Sequence, residues 1–181
     1  MKKSWENVLI CDKIILGGLM KEKCYFMFKP GFTDKETVCE VLKRLRGEGA
    51  SILEIKTMLL SEKACREHYA HIVDLKDKVT GKPVYPKLEE YMLSGPVIGV
   101  SLEGKVGIID ELRKAMGSTR NPAEGTLRYE FIAKKGIPEE DRTTKNGFHC
   151  SDSPENAEIE IDRFFGRSED LGIVTLGEKT K

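Results

Sequence analysis

The chain has 181 residues, a length typical of one folded domain with its own hydrophobic core. Hydrophobic residues make up 39% and charged residues 33% of the sequence, as is usual for soluble globular proteins. The 30 basic and 30 acidic side chains cancel, so no nucleic-acid partner bound through bulk charge is expected. Any binding site made of basic side chains must therefore be a local cluster of them.

Five irregularly spaced cysteines, with no Cys-x-x-Cys pair, favour reduced thiols and a cytoplasmic location over a disulfide framework. Asp12 and Lys13 interrupt the early apolar runs, so neither half predicts a signal segment. No run approaches the ~18 apolar residues of a membrane span. We expect residues 1–22 to be an N-terminal extension of unknown role and residues 171–181 to be a C-terminal tail.

The first elements are a strand, a helix and a second strand. Residues 24–28 form an apolar run ended by Lys-Pro-Gly, which predicts a buried strand. Thr33 with Glu36 is typical of a helix N-terminus, and the apolar spacing that follows predicts a helix ended by Gly47. Apolar and polar side chains alternate sufficiently over residues 50–60 to predict a strand.

The middle of the chain predicts three helices around one strand. Ser61 is expected to cap a helix, and a turn and a further helix follow over 82–96, ended by Gly-Pro. Residues 97–104 predict the third strand. Residues 106–117 carry apolar side chains on one helical face and predict another helix.

The last third is expected to begin with a loop over 118–126 and a short extended piece over 127–133. Residues 134–145 are polar and predict an exposed excursion, followed by a final strand at 147–150. Ser153 is a good cap for the last helix, since proline and glutamate follow it. No element is predicted after this helix. The resulting order is compatible with an α+β, ferredoxin-like sandwich.

Two side-chain clusters allow competing interpretations. Cys65, His68 and His71 share a helical face and allow a metal site, but no partner pair follows, so a surface helix is preferred.

The second cluster places Ser151, Asp152 and Ser153 beside His149, which suggests a Ser–His–Asp triad. The sequence has no nucleophile elbow of the form GxSxG, and local adjacency makes a poor triad. Capping and turn roles explain these hydroxyl groups better. His149 itself precedes a helix start, where backbone N–H groups favour anions, and Glu160 is one possible acceptor for its ring proton.

Phosphate-binding candidates must be side chains, because neither a Walker-type loop nor GxGxxG occurs. Lys29, Arg113 and Arg128 lie near predicted strand ends or loops. Each one alone is more often a solvated surface charge than a ligand.

Four segments together resemble the nucleoside diphosphate kinase family. NGFHCSDS, beginning at Asn146, resembles the family's active-site signature N-x-x-H-(G/A)-S-D-(S/A). Lys29-Pro30 resembles its Lys-Pro-Asp motif, and REHYAHIVDLKDK with YMLSGPVIGVSLEG resembles its central region. RKAMGSTRNPAEGTLRYEF resembles its R-x-x-x-G-x-T-N-P…G-T-(I/L)-R segment. The segments occur in the family's order, and the resemblance covers residues 23–170.

The resemblance implies a ferredoxin-like α/β sandwich with a four-stranded antiparallel sheet covered by helices. It implies ping-pong transfer of the γ-phosphate of a nucleoside triphosphate such as ATP to a nucleoside diphosphate, through a phosphohistidine on His149. Glu160 would then accept the proton of the other ring nitrogen, with Ser151 nearby. The other implied catalytic residues are Lys29 and Tyr69.

The resemblance also implies a nucleotide site and partners. It implies phosphate binding by Lys29, Arg113, Thr119 and Arg128. It implies sugar binding by Asn146. It places base stacking on Val84, Tyr85 and Leu88. Mg²⁺ would bridge the phosphates, with Asp152 an indirect partner through water. A homo-oligomer, hexamer or tetramer, is implied, and no membrane partner.

Several departures from the family pattern keep a nucleotide-binding, weakly active or non-catalytic scaffolding member open as an alternative. Lys-Pro-Gly-Phe replaces Lys-Pro-Asp-Gly, and Cys150 replaces the small residue after the histidine. Arg120 splits Thr-Asn-Pro, and the loop over 122–125 is short, whereas the segment over 136–145 is long. Val84 occupies the position of the family's stacking aromatic residue.

Overall fold

The computed structural model describes residues 20–77 and 81–177, so most of the predicted N-terminal extension lies outside the described residues. Their strands form one five-stranded antiparallel sheet in the order β4-β1-β3-β2-β5. The strands are β1 (Lys21–Phe28), β2 (Ser51–Leu59), β3 (Val97–Lys105), β4 (Phe148–Cys150) and β5 (Val174–Leu176).

The expected α+β sandwich is confirmed, but the sheet has a fifth strand in place of the predicted four. The additional strand, β5, lies in the predicted tail and pairs with residues 57–59 at the end of β2. Its three residues are too few for a recognisable alternation, and the strand exists because an open sheet edge is available to pair with it.

Within residues 20–77 and 81–177, six α-helices cover the sheet: α1 (Lys35–Gly47), α2 (Glu62–His68), α3 (Tyr85–Leu93), α4 (Ile108–Met116), α5 (Leu127–Lys134) and α6 (Pro154–Ile161). Short 3₁₀ turns occupy Ala70–Ile72 and Glu139–Asp141, and one π turn, Asp162–Gly166, continues α6.

Two local predictions are wrong. The cap of α1 is Asp34 and not Thr33, because the Asp34 carboxylate accepts the backbone N–H of Thr37 at 3.0 Å. Residues 127–133 are helical and not extended. Leu127 and Phe131, four residues apart, lie on one buried face of α5 and pack into the core, so tertiary burial decides the conformation of this short segment.

Hydrophobic side chains pack on both faces of β1, which explains its uninterrupted apolar sequence. Phe26 and Phe28 join the core beneath α1, α4 and α5. Tyr25 and Met27 join a second core with α2, α3 and the π turn. The sheet is therefore a rigid support for any side chain that projects from its strands.

β4 pairs with β1 and brings Met27 opposite His149. The chain then turns directly into α6, which begins as predicted, with the Ser153 hydroxyl accepting the backbone N–H of Asn156 at 3.1 Å and Pro154 in the first turn. A histidine on the edge strand β4 is thus placed beside a helix that returns over the same part of the sheet.

Candidate active site

His149 and Glu160 form the centre of the site. Nε2 of His149 lies 2.7 Å from Oε1 of Glu160, and the Ser151 hydroxyl donates to Oε2 of Glu160 at 2.5 Å. The backbone N–H of Tyr25 donates to the Ser151 oxygen at 3.0 Å, which anchors this chain of hydrogen bonds to β1. An ionised carboxylate only accepts hydrogen bonds, so Nε2 of His149 carries the proton and Nδ1 keeps its lone pair.

A cavity of about 650 Å³ lies over this pair. It is lined by most of the residues that the sequence places at the catalytic and phosphate-binding site: Tyr69, Arg113, Thr119, Arg128, His149, Asp152 and Glu160. These side chains come from separate segments of the chain, and the fold brings them to one concave surface.

Arg128 is a buried cation in the cavity wall. Its guanidinium donates to the carbonyl oxygens of Gly117 at 2.8 Å, Phe148 at 2.6 Å and Asn146 at 3.3 Å. Burial lowers the pKa of Arg128 to about 10, so the side chain stays charged at neutral pH. Arg128 therefore fixes the loops before α5 and β4 and also presents positive charge to the cavity.

Arg113 is held less tightly. It is exposed, and its Nη1 donates to the carbonyl oxygens of Cys150 at 3.3 Å and Ser151 at 3.4 Å, directly after His149. Two arginines thus flank the histidine from α4 and α5, and guanidinium groups suit the charge and geometry of phosphate oxygens.

Lys29 and Asn146 lie together behind the cavity wall. The Lys29 ammonium donates to Oδ1 of Asn146 at 2.9 Å and lies 5.8 Å from the centre of the Tyr69 ring. Both residues are buried, and neither lines the cavity. Burial, followed by the charge of Arg128, lowers the pKa of Lys29 to about 7, so a neighbouring anion would favour its charged form.

Val84, Tyr85 and Leu88 lie at the start of α3 and do not line the cavity that contains His149. Tyr85 is 3% exposed, and its hydroxyl donates to Oε1 of Glu89 at 2.7 Å. Their role in base stacking stays a prediction.

Asp152 is the carboxylate on the cavity wall nearest in sequence to His149. The Asn156 amide donates to Oδ1 of Asp152 at 2.6 Å, and this hydrogen bond is the main cause of the lowered pKa of Asp152. Mg²⁺ takes oxygen ligands and usually keeps several waters beside one or two carboxylates and the substrate phosphates. A single exposed carboxylate fits such a shared, water-mediated contact.

The triad interpretation is not supported, because the described hydroxyls and Asp152 have other partners. Ser151 bonds to Glu160, Ser153 caps α6 and Asp152 bonds to Asn156.

The surface-helix interpretation of α2 is wrong, because Cys65 and His68 are buried against the sheet, while His71 lies in the 3₁₀ turn that follows α2. The helical spacing of Cys65 and His68 is the signal for this inner face. The rings of His68 and His149 lie 4.7 Å apart, centre to centre. Sequence reasoning gave His68 no role beside His149.

Arg163, in the π turn, is a second residue that sequence reasoning missed. It lines the cavity, and its Nη1 lies 3.4 Å from Nδ1 of His68. Burial, followed by the charges of His149 and Arg163, lowers the pKa of His68 well below its usual value, so His68 is neutral. No pattern in the sequence indicates Arg163, because its position depends on the π turn.

Within the part of the chain that the structure describes, no helix is long and apolar enough to cross a membrane.

A family model described as nucleoside diphosphate kinase matches residues 22–169. A nucleoside diphosphate kinase of Campylobacter lari is 37% identical over 153 residues, which cover 83% of this chain and 99% of that protein. A nucleoside diphosphate kinase of Symbiobacterium thermophilum is 36% identical over 151 residues, with 82% and 89% covered.

The solved structures agree with the sequence comparison. The crystal structure of nucleoside diphosphate kinase from Encephalitozoon cuniculi matches with a TM-score of 0.64 and 26% identity, over 81% of this chain and 90% of that chain. The family model, the identity to full-length relatives and the shared fold lead to one conclusion: the chain belongs to the nucleoside diphosphate kinase family.

Proposed function

We propose that this chain is a nucleoside diphosphate kinase that transfers the γ-phosphoryl group of a nucleoside triphosphate to a nucleoside diphosphate through phosphorylated His149. The observation that carries the proposal is the 2.7 Å contact between Nε2 of His149 and Glu160, on the wall of a cavity that also contains two arginines. This contact leaves the lone pair of Nδ1 available for attack on phosphorus.

In the first half-reaction, Nδ1 of His149 attacks the γ-phosphorus and the bond from that phosphorus to the bridging oxygen breaks. The nucleoside diphosphate leaves, and the imidazole ring gains positive character that the Glu160 carboxylate stabilises. The second half-reaction reverses these steps with a different nucleoside diphosphate as acceptor. The Ser151 hydroxyl holds Glu160 in place throughout.

Arg113, Arg128 and Thr119 bind the phosphate oxygens as charge moves during transfer, and Lys29 joins them from behind Tyr69. Phosphoryl transfer depends mainly on in-line positioning and on fixed positive charge around the transferred group. Tyr69 assists near the transferred group, and Asn146 binds the sugar. Val84, Tyr85 and Leu88 form the base side of the site.

Mg²⁺ bound with the nucleotide would supply positive charge against the phosphates, and Asp152 is the residue that would help to hold it, through water. The Asp152 carboxylate is oriented for this role by Asn156. The chain acts in the cytosol, in keeping with its free thiols.

We also propose a homo-oligomer, hexamer or tetramer. Among the described residues, β5 pairs with no more than the last three residues of β2, and Leu53 and Ile55 in the first part of β2 are 48% and 44% exposed. Such exposed apolar side chains on a sheet favour contact with another chain. Sedimentation equilibrium tests this, and a stable monomer contradicts it.

Labelling with γ-³²P ATP tests the function. The wild-type chain is expected to take up acid-labile, base-stable label that unlabelled GDP removes as labelled GTP. His149→Ala should abolish the label, whereas His71→Ala, a matched change at another histidine of the cavity, should retain it. No label on the wild type refutes the kinase and leaves the scaffolding alternative. Label that survives His149→Ala refutes the assignment of the nucleophile.

A further inference from the structure

His68, His149 and Glu160 meet although they come from three different elements, α2, β4 and α6. One potential ligand atom from each residue lies within 4.8 Å of those from the other two. Oε1 of Glu160 is 2.7 Å from Nε2 of His149 and 3.8 Å from Nδ1 of His68. All three residues line the large cavity, which gives small ions a route from solvent.

Two imidazoles and one carboxylate are a donor set that tetrahedral Zn²⁺ sites use, usually with water as the fourth ligand. Mg²⁺ and Ca²⁺ prefer oxygen ligands alone and are poorly matched to this set. Metal–ligand bonds of about 2.0–2.1 Å place tetrahedral ligand atoms about 3.3 Å apart. The two separations at Glu160, 2.7 Å and 3.8 Å, lie on either side of that value.

The surroundings contain an opposing charge. Nδ1 of His68 is the atom that faces Glu160, and it lies 3.4 Å from Nη1 of Arg163, so a metal ion bound at Nδ1 replaces that contact. The Arg163 guanidinium also repels a cation. This repulsion disfavours weakly bound ions and leaves the site to metals that bind nitrogen strongly.

We propose that His68, His149 and Glu160 form a binding site for a divalent transition-metal ion such as Zn²⁺, and that metal binding blocks phosphorylation of His149. The blocking step rests on the proposed function of His149 as the nucleophile. The metal takes the lone pair of Nε2, and the single proton of the neutral ring moves from Nε2 to Nδ1. Nδ1–H has no free lone pair, so it cannot attack phosphorus.

Calorimetric titration of the full chain with ZnCl₂ tests binding directly. The background is Cys11→Ser with Cys39→Ser, because Cys39 is an exposed thiol, a group that zinc favours as a ligand, and Cys11 lies outside the described residues. We expect one ion per chain, at least tenfold weaker binding in His68→Gln, and about tenfold tighter binding in Arg163→Met, which removes the repelling charge. No saturable binding, or binding unaffected by His68→Gln, overturns the site.

Nitrogen NMR of the imidazoles tests the site without any substitution at His68. The chain has three histidines, so its ring signals are few. Zn²⁺ should shift the signals of His68 and His149 and leave those of His71 unchanged. A shift confined to His71 overturns the proposal, even if a substituted chain fails to fold.

Labelling with γ-³²P ATP in the presence of excess Mg²⁺ tests the block. Zn²⁺ at saturating concentration should reduce label on His149 at least tenfold, with recovery after chelation. Undiminished label on the zinc-loaded chain overturns the block. Absence of label from the metal-free chain refutes the proposed kinase instead, and the titration and NMR still decide whether the metal site exists.

Discussion

Replacing Glu160 by glutamine tests the central hydrogen bond of the site with a minimal change of shape. Glu160 is 8% exposed, and its two carboxylate oxygens are bonded to the His149 ring and the Ser151 hydroxyl. Glutamine has one oxygen acceptor and one NH₂ donor, so it cannot accept from both partners. It also lacks the negative charge that stabilises the ring as phosphorylation makes it positive.

The expected loss follows from the strength of hydrogen bonds to charged groups. Such bonds contribute roughly 1.5–3 kcal/mol, against about 1 kcal/mol for neutral pairs. If this contribution is lost in the transition state, phosphorylation of His149 slows about 10- to 150-fold. Nucleotide binding should change little, because Glu160 contacts the proposed nucleophile and not the arginines proposed to bind phosphate.

Quench-flow measurement of label transfer from γ-³²P ATP gives the rate of the first half-reaction for wild type and Glu160→Gln. Glu158→Gln is the matched control, since Glu158 is exposed on the same helix, α6. The control should react at the wild-type rate. A rate within twofold of wild type for Glu160→Gln, or an equal loss in the control, would show that the carboxylate does not support the nucleophile.

Three further changes probe the cations and the core. Arg128→Lys removes the guanidinium that donates to three backbone carbonyl oxygens, so it should lower thermal stability and also lower the labelling rate at least tenfold. If neither the stability nor the rate falls, Arg128 does not both hold the loops and supply charge to the cavity. Burial lowers the pKa of Lys29 to about 7, so the unfolded chain binds this proton more tightly than the folded chain. The free energy of unfolding without nucleotide should therefore rise from pH 7 to pH 9. Urea unfolding should show a smaller rise for Lys29→Met, and an identical rise refutes the burial argument. Phe131→Ala in α5, 1% exposed, should cost about 3–5 kcal/mol, whereas the exposed Tyr129→Ala should change the free energy of unfolding by less than about 0.5 kcal/mol.

Long-range pairing produced the main errors of sequence interpretation. The segment 127–133 has too few residues for a helix to persist alone, and its burial against β1 and β4 makes it helical. β5 depends on an open edge of β2 that no local pattern encodes. Asp34 and not Thr33 caps α1, a difference of one residue between two side chains that both suit the position.

The residues of the site also divide into those that local motifs predict and those that only tertiary packing reveals. Ordered motifs were enough to propose His149, Glu160 and the arginines as site residues, because these side chains occur in recognisable local contexts. His68 and Arg163 reach His149 only through the packing of α2 and the π turn on the sheet, so their closeness is invisible in the sequence.

By itself, the sequence determined the family resemblance, the α+β class and the capped helix that follows the histidine, since these depend on residue type and spacing over short stretches. Only the tertiary structure decided which nitrogen of His149 is bonded, that Lys29 is buried beside Asn146, and that a second histidine and an arginine stand next to the proposed nucleophile. These features depend on distances between residues far apart in the chain, and such distances are set by core packing rather than by local pattern.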